Sequence, residues 1–150
     1  KYGASKVVQA NGEFENVYRQ IFADVITNAA KEMGAEVIIL NHSSTGKSLL
    51  GRLAVKLDAG SVSGVNSLPT IDGVFKVKKN VFSGKAIAEY EVKTAVKVLS
   101  LMGNSFPLVE SGADVAVESI NPTIPAAKVI VKSLETVEGI VPLPEAELVV

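Results

Sequence analysis

The stretch Val37-Ile38-Ile39-Leu40-Asn41-His42-Ser43-Ser44-Thr45-Gly46-Lys47-Ser48-Leu49-Leu50-Gly51-Arg52-Leu53-Ala54-Val55-Lys56-Leu57 decides how this chain is read. Its consecutive aliphatics, Val37 to Leu40, predict a strand covered on both faces, as in a parallel sheet. Leu49, Leu50, Leu53, Ala54 and Leu57 then recur at helical spacing and predict one apolar helix face. Between the two lies a short polar loop. Its Ser43, Ser44 and Thr45 hydroxyls can accept hydrogen bonds from the free N–H groups of the helix start. The carboxyl end of such a strand is where α/β proteins place ligands, so the search for a site starts here.

Thr45-Gly46-Lys47-Ser48 looks like the end of a phosphate-binding P-loop. That motif needs a second glycine roughly five residues before its Gly-Lys pair, so that successive backbone N–H groups curl round a phosphate. Asn41 stands there, followed by His42, and the strand runs straight into them. The favoured interpretation is a capped helix with an exposed lysine. A nucleotide-binding α/β module using the Asn41–Ser48 loop is the alternative, with Ser44, Thr45, Gly46 and Lys47 as its nucleotide or anion contacts.

Upstream, Ser5 to Ala10 reads as a core strand and Asn11-Gly12 as a turn. Val17, Ile21, Phe22, Val25, Ile26, Ala29, Ala30 and Met33 recur at helical spacing, with Gly34 as the stop signal. This helix leads to the Val37 strand, a strand–helix–strand unit whose crossover is expected to be right-handed. Beyond Gly60 the character changes. Extended segments at Val74 to Val81, Lys85 to Val92 and Ala95 to Leu101 are separated by Ser83-Gly84 and Lys93-Thr94, with Asp72-Gly73 ahead of them. That spacing favours β-hairpins. Val115 to Ile120 and Lys128 to Val137 predict further strands around Asn121-Pro122. The expected fold class is α/β, with a parallel-sheet strand–helix–strand core and an antiparallel β-hairpin addition.

Composition agrees with a compact domain. A chain of 150 residues supports one core and would crowd two. Hydrophobic residues make up 47% and charged ones 21%, too apolar for a disordered chain. The net charge of −1 argues against a nucleic-acid binder, which normally carries a basic surplus. No apolar run approaches a membrane span and no secretory signal is visible, so no membrane insertion is expected and a cytoplasmic home is the default. With no cysteine there is neither a disulfide framework nor a thiolate site.

The chemical candidates are few. His42 is the only histidine, so it cannot build a multi-histidine metal site, and no metal site is expected. A Ser–His pair with Ser43 or Ser44 lacks an orienting acid, and adjacent residues rarely point at one another. A hydrogen-bonded loop histidine is expected instead, and no catalytic residue. Lys76, Lys78 and Lys79 lie near Phe75 and Phe82, but aromatics are only 5% of the chain. A nucleic-acid surface needs a broader positive field and exposed stacking rings. The lysines are expected to guard an edge strand against aggregation. Glu89 and Glu91 share one strand face, where paired carboxylates are usually just solvated. Gly60, Gly64, Gly73, Gly84 and Gly103 are dispersed and expected at turns rather than in a phosphate cradle.

The segments also form an ordered set. Gly46-Lys47-Ser48-Leu49-Leu50-Gly51-Arg52-Leu53-Ala54-Val55-Lys56-Leu57 leads into Ser61-Val62-Ser63-Gly64-Val65. Phe82-Ser83-Gly84-Lys85-Ala86 follows, then Val98-Leu99-Ser100-Leu101-Met102-Gly103-Asn104-Ser105-Phe106. In order and spacing these resemble the N-terminal domain of the electron transfer flavoprotein alpha subunit. That family has a Gly-Lys helix with a later Arg and Ala-x-Lys-Leu, a strand region, an aromatic-x-Gly turn, and a strand ending near Arg-Gly-x-Ser-Phe. The resemblance runs from about Lys6 to Phe106 and is looser beyond. Met102 departs from it, standing where the family usually places an arginine.

The resemblance implies a Rossmann-like, adenine nucleotide alpha hydrolase-like core. It also implies an αβ heterodimer that accepts electrons from flavin dehydrogenases such as acyl-CoA dehydrogenases and passes them to a quinone reductase or another acceptor. The chain would then be an electron-carrier subunit rather than an enzyme, in the cytoplasm or, in a eukaryote, the mitochondrial matrix. Its partner would be the beta subunit. The family's FAD is held mainly by the C-terminal domain, so no cofactor-binding residue is expected in this chain. The Lys1 start, without an initiator methionine, and the end at Glu145 to Val150, like the family's second-domain strand, suggest a piece of a longer subunit. The expected division is an N-terminal domain over residues 1–143, incomplete at its start, with residues 144–150 opening an FAD-binding domain. The expected partner surface is the strands between Val74 and Leu101, with Phe82, Tyr90 and Val92 facing outward.

Overall fold

A computed structural model of the chain describes residues 2–12, 14, 19–123, 125–126, 129–133, 135, 139 and 141. Their elements run β1 (Val7–Ala10), α1 (Arg19–Glu32), β2 (Val37–Asn41), α2 (Ser44–Leu57) and β3 (Gly60–Val65). There follow β4 (Phe75–Val81), β5 (Ala86–Val92), β6 (Lys97–Leu101) and β7 (Val117–Ile120). The parallel core is a sheet in the order β2-β6-β3, β1 and β7 form a separate parallel pair, and β4 and β5 form an antiparallel hairpin. The α/β class with a hairpin addition is borne out. Val17 and residues 144–150 lie outside the described residues. So does part of the strand expected from Lys128 to Val137, whose described residues form no named strand.

Local chemistry sets the helix ends. Ser43, extended at φ −77° and ψ 172°, caps α2, its hydroxyl accepting the Gly46 N–H at 3.2 Å. Ser44 and Thr45 are already inside the first turn. Asp58 ends α2 at φ 49°, with Ala59 N–H reaching back to the Ala54 carbonyl at 2.8 Å. Gly34 ends α1 in the same left-handed manner at φ +61°, with Ala35 N–H bonded to the Ala30 carbonyl at 2.9 Å. A glycine suits that position because it has no Cβ to strain.

Two apolar clusters meet across β6. Val98 packs with Ala23 and Ala30 of α1, Leu49 and Leu53 of α2, and Ile38. Leu99 points the other way and packs with Val62, Val65, Val77 and Val92 under the hairpin. The helices therefore cover one face of the sheet and the hairpin covers the β3–β6 part of the other. Gly60 lets the hairpin approach β3, since a Cβ there would stand 2.6 Å from Val92 Cγ1.

Three expectations are corrected by this arrangement. Ala95 to Leu101 does not extend the hairpin series; as β6 it is the central strand of the parallel sheet. Its run Val98-Leu99-Ser100, buried on both faces, is what the sheet centre requires. The double coverage expected for Val37 to Leu40 belongs to β6 instead. β2 is at the sheet edge beyond the hairpin's reach, so Ile38 is buried while Val37 and Ile39 are exposed. Finally, β1 does not pair with β2: it runs parallel with β7, in register from Val7↔Val117 to Ala10↔Ile120.

Candidate functional site

The carboxyl ends of β2, β6 and β3 bring polar groups together around Ser100. Ser100 is fully buried in β6, and a buried hydroxyl needs partners. Both come from neighbouring strands. Gly64 N–H donates to Ser100 Oγ at 3.0 Å, and Ser100 Oγ lies 2.8 Å from His42 Nδ1. The first bond depends on a β-bulge between Ser63 and Val65, where Gly64 takes φ +72° and turns its N–H toward β6. A Cβ at Gly64 would also stand 3.4 Å from His42 Cε1. Gly64 therefore serves a bulge within β3 rather than the turn expected of it.

Gly64 N–H and His42 Nδ1 between them give the buried Ser100 hydroxyl its partners. Burial holds the His42 pKa below the ordinary 6.5, and the positive charges of Lys47 and Lys79 push it the same way. Lys79 Nζ also reaches Ser63 Oγ at 3.4 Å. His42 is the hydrogen-bonded loop histidine expected from the sequence, though its serine is Ser100 rather than Ser43 or Ser44. Sealed in the sheet, the Ser100 hydroxyl cannot meet a substrate.

The α2 start is organised for packing. Gly46 is buried, and a Cβ there would run into the Asn41 carbonyl, because the first helical turn sits directly on the end of β2. The Gly46 N–H, which a P-loop would aim at a phosphate, is spent on Ser43 Oγ, and the Lys47 N–H bonds the Ser43 carbonyl at 2.9 Å. Ser44, Thr45 and Lys47 are exposed around this turn. Ser48 Oγ donates back to the Thr45 carbonyl at 2.7 Å. An open cleft of about 330 Å³ lies at the ends of β2 and β6, lined by residues including Ile39, Asn41, Met102, Asn104 and Phe106. Among the described residues, none of those lining it is charged. Among the described residues, no group of three or more His, Cys, Asp or Glu side chains is placed to hold a metal.

The other candidates resolve into structural roles. Glu89 faces both Lys76 and Lys78 across the hairpin, at 3.4 and 3.6 Å, while Lys79 points to the opposite face. Phe82 and Tyr90 are exposed as expected, but Val92 is buried under the hairpin. Sequence reasoning missed Ser100 and Gly64 as partners of His42. The one signal available was a serine inside the apolar run Val98 to Leu101.

A family model described as "Electron transfer flavoprotein domain" matches residues 1–125. Among curated proteins, the chain is 27% identical over 112 residues to "Protein FixB" of Escherichia coli O127:H6, covering 74% of this chain and 36% of that protein. It is 27% identical over 118 residues to the "Probable electron transfer flavoprotein subunit alpha, mitochondrial" of Caenorhabditis elegans, covering 78% and 35%. The "Electron transfer flavoprotein subunit alpha" of Pseudomonas aeruginosa is 27% identical over 128 residues, covering 84% and 40%. The match thus spans little more than a third of the relatives' length.

Proposed function

The chain belongs to the electron transfer flavoprotein domain family, and from that premise we propose that it is the scaffold and subunit-interface domain of an alpha subunit. The observation that carries this is the likeness to alpha-subunit relatives, 27% identical over 118 and 128 residues. In this proposal the parent protein carries electrons from flavin dehydrogenases, such as acyl-CoA dehydrogenases, to a quinone reductase or other acceptor. The domain performs no chemistry itself, and FAD sits in a different domain of the parent subunit. The beta subunit is its partner, and the compartment is the cytoplasm or the mitochondrial matrix. Among the described residues no helix is long and apolar enough to cross a membrane. The loop Asn41–Ser48 supports the nucleotide alternative poorly, since its helix-start N–H is already used and its glycine is packed on backbone.

Sedimentation of the chain mixed with an electron transfer flavoprotein beta subunit tests the proposal. A complex burying at least roughly 1,000 Å² is expected to travel as one boundary. Independent sedimentation of the two proteins at every ratio would overturn it.

A further inference from the structure

A cleft separates the two parallel sheets, and a free strand edge borders it on each side. Along β2, the Glu36 carbonyl accepts from Lys97 N–H at 2.9 Å and His42 N–H donates to the Leu101 carbonyl at 3.0 Å. Ile38 and Leu40, between them, share that direction toward β6, so Val37 and Ile39 turn their N–H and C=O groups the other way. On β1, Asn11 N–H bonds the Ile120 carbonyl of β7 at 2.9 Å, so Val8 and Ala10 turn theirs away from β7. Among the described residues nothing pairs with either row. Both strands line one apolar cleft of about 380 Å³, with Val8 and Ala10 on one bank, Val37 and Ile38 on the other, and Ala29 and Met33 of α1 among its floor. Neither strand carries a charge or a proline, the usual guards of an edge left to water. Ile39 is 61% exposed on the face that the hairpin does not reach. An aliphatic parallel strand of this kind belongs inside a sheet, covered on both faces.

We propose that this cleft is a strand-acceptor slot, filled by extended chain from elsewhere in the same subunit, which pairs along β2 and joins it to β1 in one sheet. The inference rests on the reading of this chain as one domain of a longer alpha subunit. Free N–H and C=O groups on both banks call for an occupant with backbone groups on both edges, which a β-strand has and an apolar small molecule lacks. The α1 floor asks for apolar side chains on one face of that strand, and the exposed Ile39 asks for them on the other. The occupant is therefore a near-continuous aliphatic run without proline. Two observations favour a source in the same subunit. The match covers only 35% and 40% of the alpha-subunit relatives, so most of a chain of that length lies outside it. A tethered strand also reaches the slot at an effective concentration in the millimolar range, without the association cost that a separate protein bears.

Amide hydrogen exchange, read residue by residue by NMR on the 150-residue chain and on the full-length subunit, tests it. In the chain alone, Val37 and Ile39 are expected to exchange fast, while Ile38 and Leu40, bonded to β6, are protected. In the full-length subunit, with no partner protein present, Val8, Ala10, Val37 and Ile39 should slow by roughly a hundredfold or more. Val37→Pro removes an N–H that β6 does not use, at the first residue of its strand. It should leave the unfolding midpoint of the 150-residue chain nearly unchanged and lower that of the full-length subunit. Amides that stay fast in the full-length subunit would overturn the proposal. So would protection already complete in the chain alone, or protection that appears only when the beta subunit is added, which would give the slot to a partner. Binding of the beta subunit is read separately by sedimentation. A full-length subunit that protects these amides without binding it would sink the alpha-subunit reading and keep the slot.

Discussion

His42 joins the ends of β2 and β6, and its charge state bears on stability. It is the sole histidine, so acid titration near neutrality reports chiefly on it. Its folded pKa is depressed, by burial first and by Lys47 and Lys79 after. The folded state therefore favours the neutral ring. Its contribution is fully present above the unfolded value of 6.5 and is lost as pH falls through the lower folded value. Thermal unfolding followed from about pH 7 to about pH 5 should show a falling midpoint in the parent chain and a flatter profile in His42→Gln. An equal acid slope in both proteins would refute the role given to the ring. One residue away, Ser43 supplies the cap of α2. Ser43→Ala should cost about 1 kcal/mol in denaturant unfolding, whereas Lys47→Ala, at an exposed position, should be almost neutral. A larger loss from Lys47→Ala would reinstate a role for its ammonium.

At the scale of elements, the helix–strand contact at Gly46 is the tightest constraint at the sheet's carboxyl edge. A methyl group there meets a backbone carbonyl, which cannot move aside as a side chain can. Gly46→Ala should therefore destabilise the fold by roughly 1–3 kcal/mol, the usual range for overpacking, although alanine is the better helix former. An unchanged unfolding midpoint would mean that α2 shifts freely on β2. The apolar faces of α1 and α2 and the alternation of β4 and β5 were legible, because each is written as local periodicity. Membership of β6 in the parallel sheet was not. Lys97 to Leu101 follows the hairpin after a short turn, and no local pattern tells an antiparallel third strand from a strand that crosses into the core. The exposed face of β2 was equally hidden, since four aliphatics look the same whether the hairpin covers them or stops short.

Across the whole molecule, the candidate site was legible as a place but not as a network. The strand–loop–helix stretch located it, and the missing P-loop glycine argued against phosphate binding. The Ser100 and Gly64 contacts join residues separated by 58 and 36 positions, which sequence spacing alone cannot connect. The assembled geometry then bears on flavin. Holding FAD requires backbone N–H groups turned toward its pyrophosphate, at a helix start or in a basic glycine-rich loop. The α2 start, which faces the ligand edge of the parallel sheet, has its Gly46 and Lys47 N–H groups engaged by Ser43, and its glycine is filled against Asn41. Among the described residues, the lining of the cleft beside it carries no cation. The purified chain is therefore expected to be colourless, with no flavin absorbance after gel filtration. Adding FAD should leave its unfolding midpoint unchanged, because a ligand that bound the folded state would raise it in proportion to ligand concentration. A flavin band that co-elutes with the protein, or a midpoint that climbs with added FAD, would show that the cofactor finds a cradle within these residues.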